Sequence, residues 1–234
     1  MKILVTGATG YIGAHYVKVA AEHGHEVVAT DFNFNQNNIE KYSSQIIDWD
    51  FRKPSPMKMS FDKVVHIGAM GSVPLSVKDP WLYYETNVVG TKNVIDFAEC
   101  DHFVYCSTGS AFDPAASPYA TTKYGGELLT KQFKENHSLV RFYNVCGNDG
   151  FNKFDTKYSH LIRKAAAVAN GKFDTLEIFG TDYDTRDGTC IRNYTHVVDI
   201  VDSLQKVVEN KPTGVIDCLG SPEGVSVREV IDTM

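Results

Sequence analysis

No apolar stretch in the 234-residue chain approaches the roughly 18 residues that a membrane-crossing helix requires. Cysteine is sparse. The five residues, Cys100, Cys106, Cys146, Cys190 and Cys218, are odd in number and none sits at CxxC spacing. That points to reduced thiols rather than a disulfide framework or a zinc site. The eight histidines make no HExxH or HxH pair, so no metal site is expected. Positive charge is not in excess either: 23 Lys and Arg against 29 Asp and Glu leave a net charge of −6. That argues against nucleic acid or an anionic membrane as a partner, since both attract basic faces. A strand-like run starts at residue 2, so no signal peptide is expected and the cytoplasm is the expected location.

What is present is an ordinary globular composition, 43% apolar and 22% charged. The length suits one large domain, alone or with a small appendage. Lys2–Thr6 (KILVT) is a short β-branched run. It ends in a glycine turn, followed by a helical pattern from Ile12 to Glu22 and a second strand, Glu26–Thr30, ending at Asp31. Strand, glycine turn, helix and strand make a βαβ unit. The polar Phe32–Asn38 stretch reads as a loop. The rhythm then repeats: a strand at Lys63–Ala69, a helix over Asp79–Glu99 with Asp79 as cap and Pro80 at its first position, and a strand at Phe103–Ser107. A helix over Tyr119–Asn136 and a strand over Leu139–Val145 follow. This alternation predicts an α/β fold, a Rossmann-like doubly wound parallel sheet covered on both faces.

After Gly147 the texture changes. A helix near Ser159–Asn170 is followed by apolar runs at Leu176–Phe179 and Thr189–Tyr194 with a polar, Asp- and Thr-rich stretch between them. A helix over His196–Glu209 and a strand at Val215–Leu219 follow. The expected division is 1–147, a nucleotide-binding part with the catalytic residues, and 148–234, a small, apparently truncated α/β substrate-binding part interleaved with it. Ser226–Met234 (SVREVIDTM) has a Ser cap and helical spacing over about two turns, which reads as the start of a helix.

The glycines Gly7, Gly10 and Gly13 lie at GxxGxxG spacing between a strand and a helix. Gly7 permits the tight turn, Gly10 removes a side chain where a pyrophosphate approaches, and Gly13 lets the helix pack closely. The helix start at Tyr11 and Ile12 offers N–H groups and a positive dipole end to phosphates. Asp31 sits at the end of the second strand, 18 residues past Gly13. A carboxylate there accepts the adenosine ribose hydroxyls and repels a 2′-phosphate. No Arg or Lys neighbours it in sequence, so the expected cofactor is NAD. Asp50 is either a further adenosine contact or an ordinary loop aspartate.

Tyr119 and Lys123 form a YxxxK pair, which places both on one helix face. An ammonium beside a phenol favours the phenolate, so this pair predicts a tyrosine of lowered pKa acting as a general base. Ser107 and Thr108 close the preceding strand at the carboxyl edge of the sheet, where a hydroxyl steadies a substrate alkoxide. Asn87 lies mid-helix, where Asn is a poor helix former, and reads as a polar group facing the active-site lysine.

Together TGATGYIG, Asp31, YYETNVVGT, the STGS strand end and YATTK resemble the extended short-chain dehydrogenase/reductase family. Arg141–Asn144 (RFYN), Leu176–Tyr183 (LEIFGTDY) and Asp187–Val197 (DGTCIRNYTHV) resemble the signature of its UDP-glucose 4-epimerases. The resemblance implies C4 epimerisation of a UDP-hexose through a 4-keto intermediate. Thr108, Tyr119 and Lys123 would be catalytic. Phe51, Ala69, Asn87 and Lys123 would join Gly7, Gly10, Tyr11, Ile12, Asp31 and Asp50 at the NAD. Asn144, His160, Phe179 and Arg192 would join Thr108 and Tyr119 around the UDP-sugar, and the family's homodimer would form through the helices carrying Asn87 and Tyr119. The chain departs from the family at Gly71, where epimerases commonly carry a lysine, in a short 112–118 segment, and at Asn193 in place of the usual Asp. The family's pattern also continues past Met234 with an Arg and an Asp at the nucleotide ribose. Two other readings stand beside epimerisation: a nucleotide-sugar dehydratase or decarboxylase, which Gly109 and Ser110 oppose, and a non-catalytic NAD-binding sensor or scaffold.

Overall fold

A computed structural model describes residues 1–32, 38–151, 160–218, 220 and 223–234. In chain order the strands are β1 (Lys2–Thr6), β2 (Glu26–Asp31), β3 (Gln45–Asp48), β4 (Met59–His66), β5 (Ala98–Thr108), β6 (His137–Phe142), β7 (Asn144–Cys146), β8 (Ile191–Arg192), β9 (Tyr194–His196), β10 (Gly214–Cys218) and β11 (Val225–Ser226). The helices are α1 (Tyr11–Glu22), α2 (Val73–Lys78), α3 (Pro80–Tyr84), α4 (Gly90–Phe97), α5 (Pro118–Phe133), α6 (Leu161–Ala169), α7 (Val197–Asn210) and α8 (Val227–Asp232). A π-helical turn, Glu85–Val89, joins α3 to α4.

Seven strands form one sheet in the order β10-β6-β5-β4-β1-β2-β3, and every pair in it is parallel. Both faces are apolar, because successive residues of a strand point to opposite sides. Ile3, Val5, Val27, Ala29, Val65 and Val104 meet α1 and α7 on one face. Leu4, Val28, Val64, Phe103 and Tyr105 meet Val94 and Phe97 of α4 on the other. This is the doubly wound Rossmann-like sheet that the alternation predicts. Among the described residues no helix is long and apolar enough to cross a membrane.

The predicted caps are in place. Asp79 accepts from the Leu82 amide at 3.2 Å with Pro80 in the first turn. Ser226 and Glu229 form a reciprocal capping box at α8. Several boundaries differ from the sequence reading, each for a tertiary reason. The helix expected to run to Glu99 stops at Phe97, because Ala98–Cys100 pair with Met59–Phe61 and lengthen both strands. The run expected as a strand through Ala69 leaves the sheet after His66. The single strand expected over Leu139–Val145 is two: β6 stays in the main sheet, while β7 turns out to pair with β9. Leu176–Phe179 forms no regular element, and α2 has no counterpart among the expected helices. Most of the Phe32–Asn38 loop, and the Ser159 and Leu219 ends of two expected elements, lie outside the described residues.

After Gly147 the chain returns to the sheet: α7 packs against α1 and β10 pairs with β6. The remaining small ladders, β7 with β9 and antiparallel β8 with β11, stand beside it.

Candidate active site

The strand order reverses between β1 and β4. β2 and β3 extend to one side, and β5, β6 and β10 to the other. Such a switch leaves a crevice at the carboxyl ends of the two strands, where open α/β sheets bind ligands. A cleft of about 950 Å³ lies there.

The glycine turn forms one wall. Gly7 adopts φ +64°, and a Cβ on it would lie 2.6 Å from Gly68 Cα at the end of β4. A Cβ on Gly13 would lie 2.0 Å from the Gly7 carbonyl oxygen. Gly10, by contrast, is exposed on the cleft and precedes α1, whose first turn also lines it. A helix start leaves N–H groups without intrahelical acceptors, and its dipole is positive there. Asp31 is 6% exposed on the same wall. Its Oδ2 accepts from Thr9 N at 3.0 Å and Thr9 Oγ1 at 2.7 Å, and its Oδ1 accepts from Phe32 N at 2.8 Å.

Phe51 and Ala69 also line the cleft, but Asp50 and Asn87 do not. Asp50 is held by Arg52, whose Nε and Nη2 donate to it at 2.8 and 2.7 Å. This pair holds the Asp50 carboxyl below its usual range. The Arg52 guanidinium also lies 5.2 Å from the centre of the Phe32 ring. Asn87 is 1% exposed. Its Oδ1 accepts from Met70 N at 2.8 Å, and its Nδ2 donates to Met70 O and Thr122 Oγ1, both at 3.1 Å. It pins a loop and the residue before Lys123, rather than facing the lysine.

Thr108, Tyr119 and Lys123 converge on the opposite wall. Thr108 ends β5, and its Oγ1 accepts from Ser110 N at 3.3 Å. Tyr119 is half-buried in the first turn of α5, with its ring edge-to-face on Tyr83 at 6.4 Å. Lys123 is 3% exposed, and its Nζ donates to Cys106 O at 2.7 Å. The expected lowering of the tyrosine is not found: burial pushes the Tyr119 phenol up, while the Thr108 hydroxyl beside it pulls the other way. Burial brings Lys123 down to about 8, because a low dielectric disfavours the charged form.

Beneath this wall, buried Glu127 of α5 accepts from Ser107 Oγ at 2.6 Å and from Arg141 Nε and Nη2 at 2.7 Å each. That cluster ties α5 to β5 and β6.

On the remaining side, Asn144 and His160 line the cleft. Asn144 Nδ2 donates to Asn193 O at 2.9 Å, which joins this wall to the chain beside Arg192. Phe179 and Arg192 do not reach the cleft wall. Phe179 is 75% exposed, and exposed Arg192 donates to its neighbour Ile191 O at 2.8 Å.

The sequence profile of the NAD dependent epimerase/dehydratase family matches residues 3–217. The chain belongs to this family. It is 32% identical over 265 residues to the UDP-glucose 4-epimerase of Halalkalibacterium halodurans, covering 99% of this chain and 79% of that one. Among solved structures it is similar to a UDP-glucose-4-epimerase from Stenotrophomonas maltophila with bound NAD and formylated UDP-arabinopyranose. That likeness has a TM-score of 0.86 at 27% identity, over 99% of this chain and 81% of that one. The UDP-Glc/GlcNAc 4-epimerase of Campylobacter jejuni gives 0.78 at 29% identity, over 99% and 82%.

Several residues of this family member line the cleft without having been assigned to the site from sequence: Ser72 at the cap of α2, Val73 and Pro74 in its first turn, Tyr143 after β6, and Tyr194 on β9. Tyr143 is the tyrosine of the RFYN motif and Tyr194 lies within DGTCIRNYTHV, so both were within reach. Ser72, Val73 and Pro74 are ordinary residue types whose position only the fold reveals.

Proposed function

We propose that this epimerase-family chain interconverts a UDP-hexose and its C4 epimer through a 4-keto intermediate, with NAD retained between turnovers. The observation that carries this reading is the convergence of Thr108, Tyr119 and Lys123 on one wall of the cleft whose other wall is the Gly7–Gly13 turn and Asp31. The turn fits a dinucleotide. Gly10 is exposed on the cleft at the α1 N-terminus, where a pyrophosphate would approach, and Asp31 offers a carboxylate to ribose hydroxyls.

When bound, NAD would supply reversible hydride acceptance at C4 of the sugar. The chain's residues handle the proton. Tyr119 takes it from the 4-hydroxyl and gives it back. The Thr108 hydroxyl, beside the phenol, steadies the oxygen as it changes charge. Tyr119 must be a phenolate to take the proton, and the Lys123 ammonium, one turn along the helix, is assigned the charge that favours it against burial, which raises the phenol. Asn144 and His160 face the sugar nucleotide. Residues 148–234 are the substrate-binding part and 1–147 the nucleotide-binding part. Phe179 and Arg192 join the UDP site only by moving toward the cleft. Dehydration is disfavoured at Gly109, where a Cβ would lie 2.4 Å from the Tyr143 ring. An acidic side chain after Thr108 would have to displace that ring.

Purified protein incubated with UDP-galactose or UDP-N-acetylgalactosamine, without added NAD, is expected to form the gluco epimer of at least one, read by NMR. NAD that co-purifies while neither sugar converts would favour the non-catalytic binding reading instead.

The partner is a second copy of the chain. α2, α3 and α5 pack together and expose Val77 (65%), Trp81 (77%) and Leu128 (47%), an apolar surface of the kind that homodimers bury. Trp81→Glu is expected to shift sedimentation from dimer toward monomer. The loss is roughly 2 kcal/mol, or about 30-fold in dissociation constant. An unchanged sedimentation profile would place the interface elsewhere. The free thiols suit a reducing cytoplasm.

A further inference from the structure

Resting on the proposed NAD site, we infer that His66 is a positioning residue that fuses the two cofactor-side turns into one rigid cradle and so sets how long NAD is retained. His66 is 1% exposed at the end of β4. Its Nδ1 lies 2.6 Å from Thr6 Oγ1, and its Nε2 lies 2.9 Å from Thr91 Oγ1. The bond from Thr91 Oγ1 to Asn87 O selects one tautomer. Thr91 Oγ1 spends its hydrogen on Asn87 O at 2.7 Å, so it accepts from His66 Nε2–H. Nδ1 is then the acceptor for the Thr6 hydroxyl, which in turn accepts from Gly68 N at 3.1 Å. A continuous chain therefore runs Gly68–Thr6–His66–Thr91–Asn87.

Both ends of this chain hold the loop between β4 and α2. Gly68 is held at one end, and Met70 is held through both its N–H and its carbonyl by the Asn87 side chain. Further along, Ser72 N donates to Tyr83 Oη at 3.0 Å, and Tyr83 Oη donates to Ser72 O at 2.7 Å. Residues 67–72 line the cleft next to the Gly7 turn, and the two turns touch at Gly7 and Gly68. Burial, with Lys123 nearby, brings the imidazole down to about 3. The ring therefore stays neutral, and the chain persists across the working pH range.

Thr91→Val removes the acceptor of Nε2–H with little change of shape. Thr6→Val breaks the chain at its other end. Thr91→Ser keeps the hydroxyl. The readout is the rate at which co-purified NAD leaves the protein without sugar nucleotide, beside UDP affinity and the melting temperature. Each valine variant is expected to release NAD about 10-fold faster, as a buried donor left unpaired implies. The double variant should be no faster than either single, since both cut one chain. Thr91→Ser and the affinity for UDP should match wild type. Valine variants that melt lower but release NAD at the wild-type rate would overturn the inference and leave the epimerase reading intact. Wild-type protein that binds no NAD would overturn both.

Discussion

Tyr119→Phe is expected to abolish epimerisation, with a loss of about 10²–10⁴-fold, while bound NAD is unchanged. The variant keeps the ring, so the edge-to-face contact with Tyr83 survives. It removes only the phenolic oxygen, the atom assigned to take the proton from the sugar 4-hydroxyl. The bonds described at Asp31 run to Thr9 and Phe32, not to that oxygen, so retention of NAD is a control within the same sample. The rate of UDP-galactose conversion by NMR, and the absorbance of protein-bound dinucleotide, separate the two effects. Wild-type turnover in Tyr119→Phe would sink the proton-transfer role outright. Loss of turnover together with loss of NAD would show that the ring edge supports the cofactor wall, and the role would need another assignment.

The two walls of the cleft were unequally legible in the amino-acid sequence. Gly7, Gly13 and Asp31 could be read because their constraints are local. One glycine turns the chain, one lets a helix approach, and one carboxylate stands where its strand ends. The YxxxK spacing likewise needs only a helix. What could not be read are bonds between side chains and distant main-chain atoms. Lys123 reaches Cys106 O across 17 positions, and Asn87 reaches both main-chain polar atoms of Met70. A carbonyl or amide partner leaves no residue type to recognise. The lowered tyrosine failed for a different reason. The sequence places an ammonium one turn away, but not the burial that raises the phenol. Helix limits were misread where sheet pairing overrides propensity, as at Ala98.

Glu127→Leu is expected to cost roughly 3–5 kcal/mol of folding stability, the usual penalty for stripping one partner from a buried ion pair. Glu127 is fully buried and accepts three hydrogen bonds, two from Arg141 and one from Ser107. Removing it strands a guanidinium that is itself 6% exposed and leaves a buried hydroxyl without its acceptor. In a domain of this size the change amounts to about 10 °C in melting temperature. The pair is costly to break but need not be costly to replace. Glu127→Leu combined with Arg141→Leu should regain most of the loss, because two apolar side chains pack where two charges had to be desolvated. Urea unfolding of the two single variants and the double variant gives the coupling directly. A double variant no more stable than Glu127→Leu would mean that the Ser107 bond dominates. Activity then separates stability from positioning. Ser107 adjoins Thr108, and Glu127 lies one turn beyond Lys123 on the same helix face. If the pair holds α5 in register with β5, a refolded, stable double variant should still turn over sugar nucleotide more slowly than wild type at temperatures where both are fully folded.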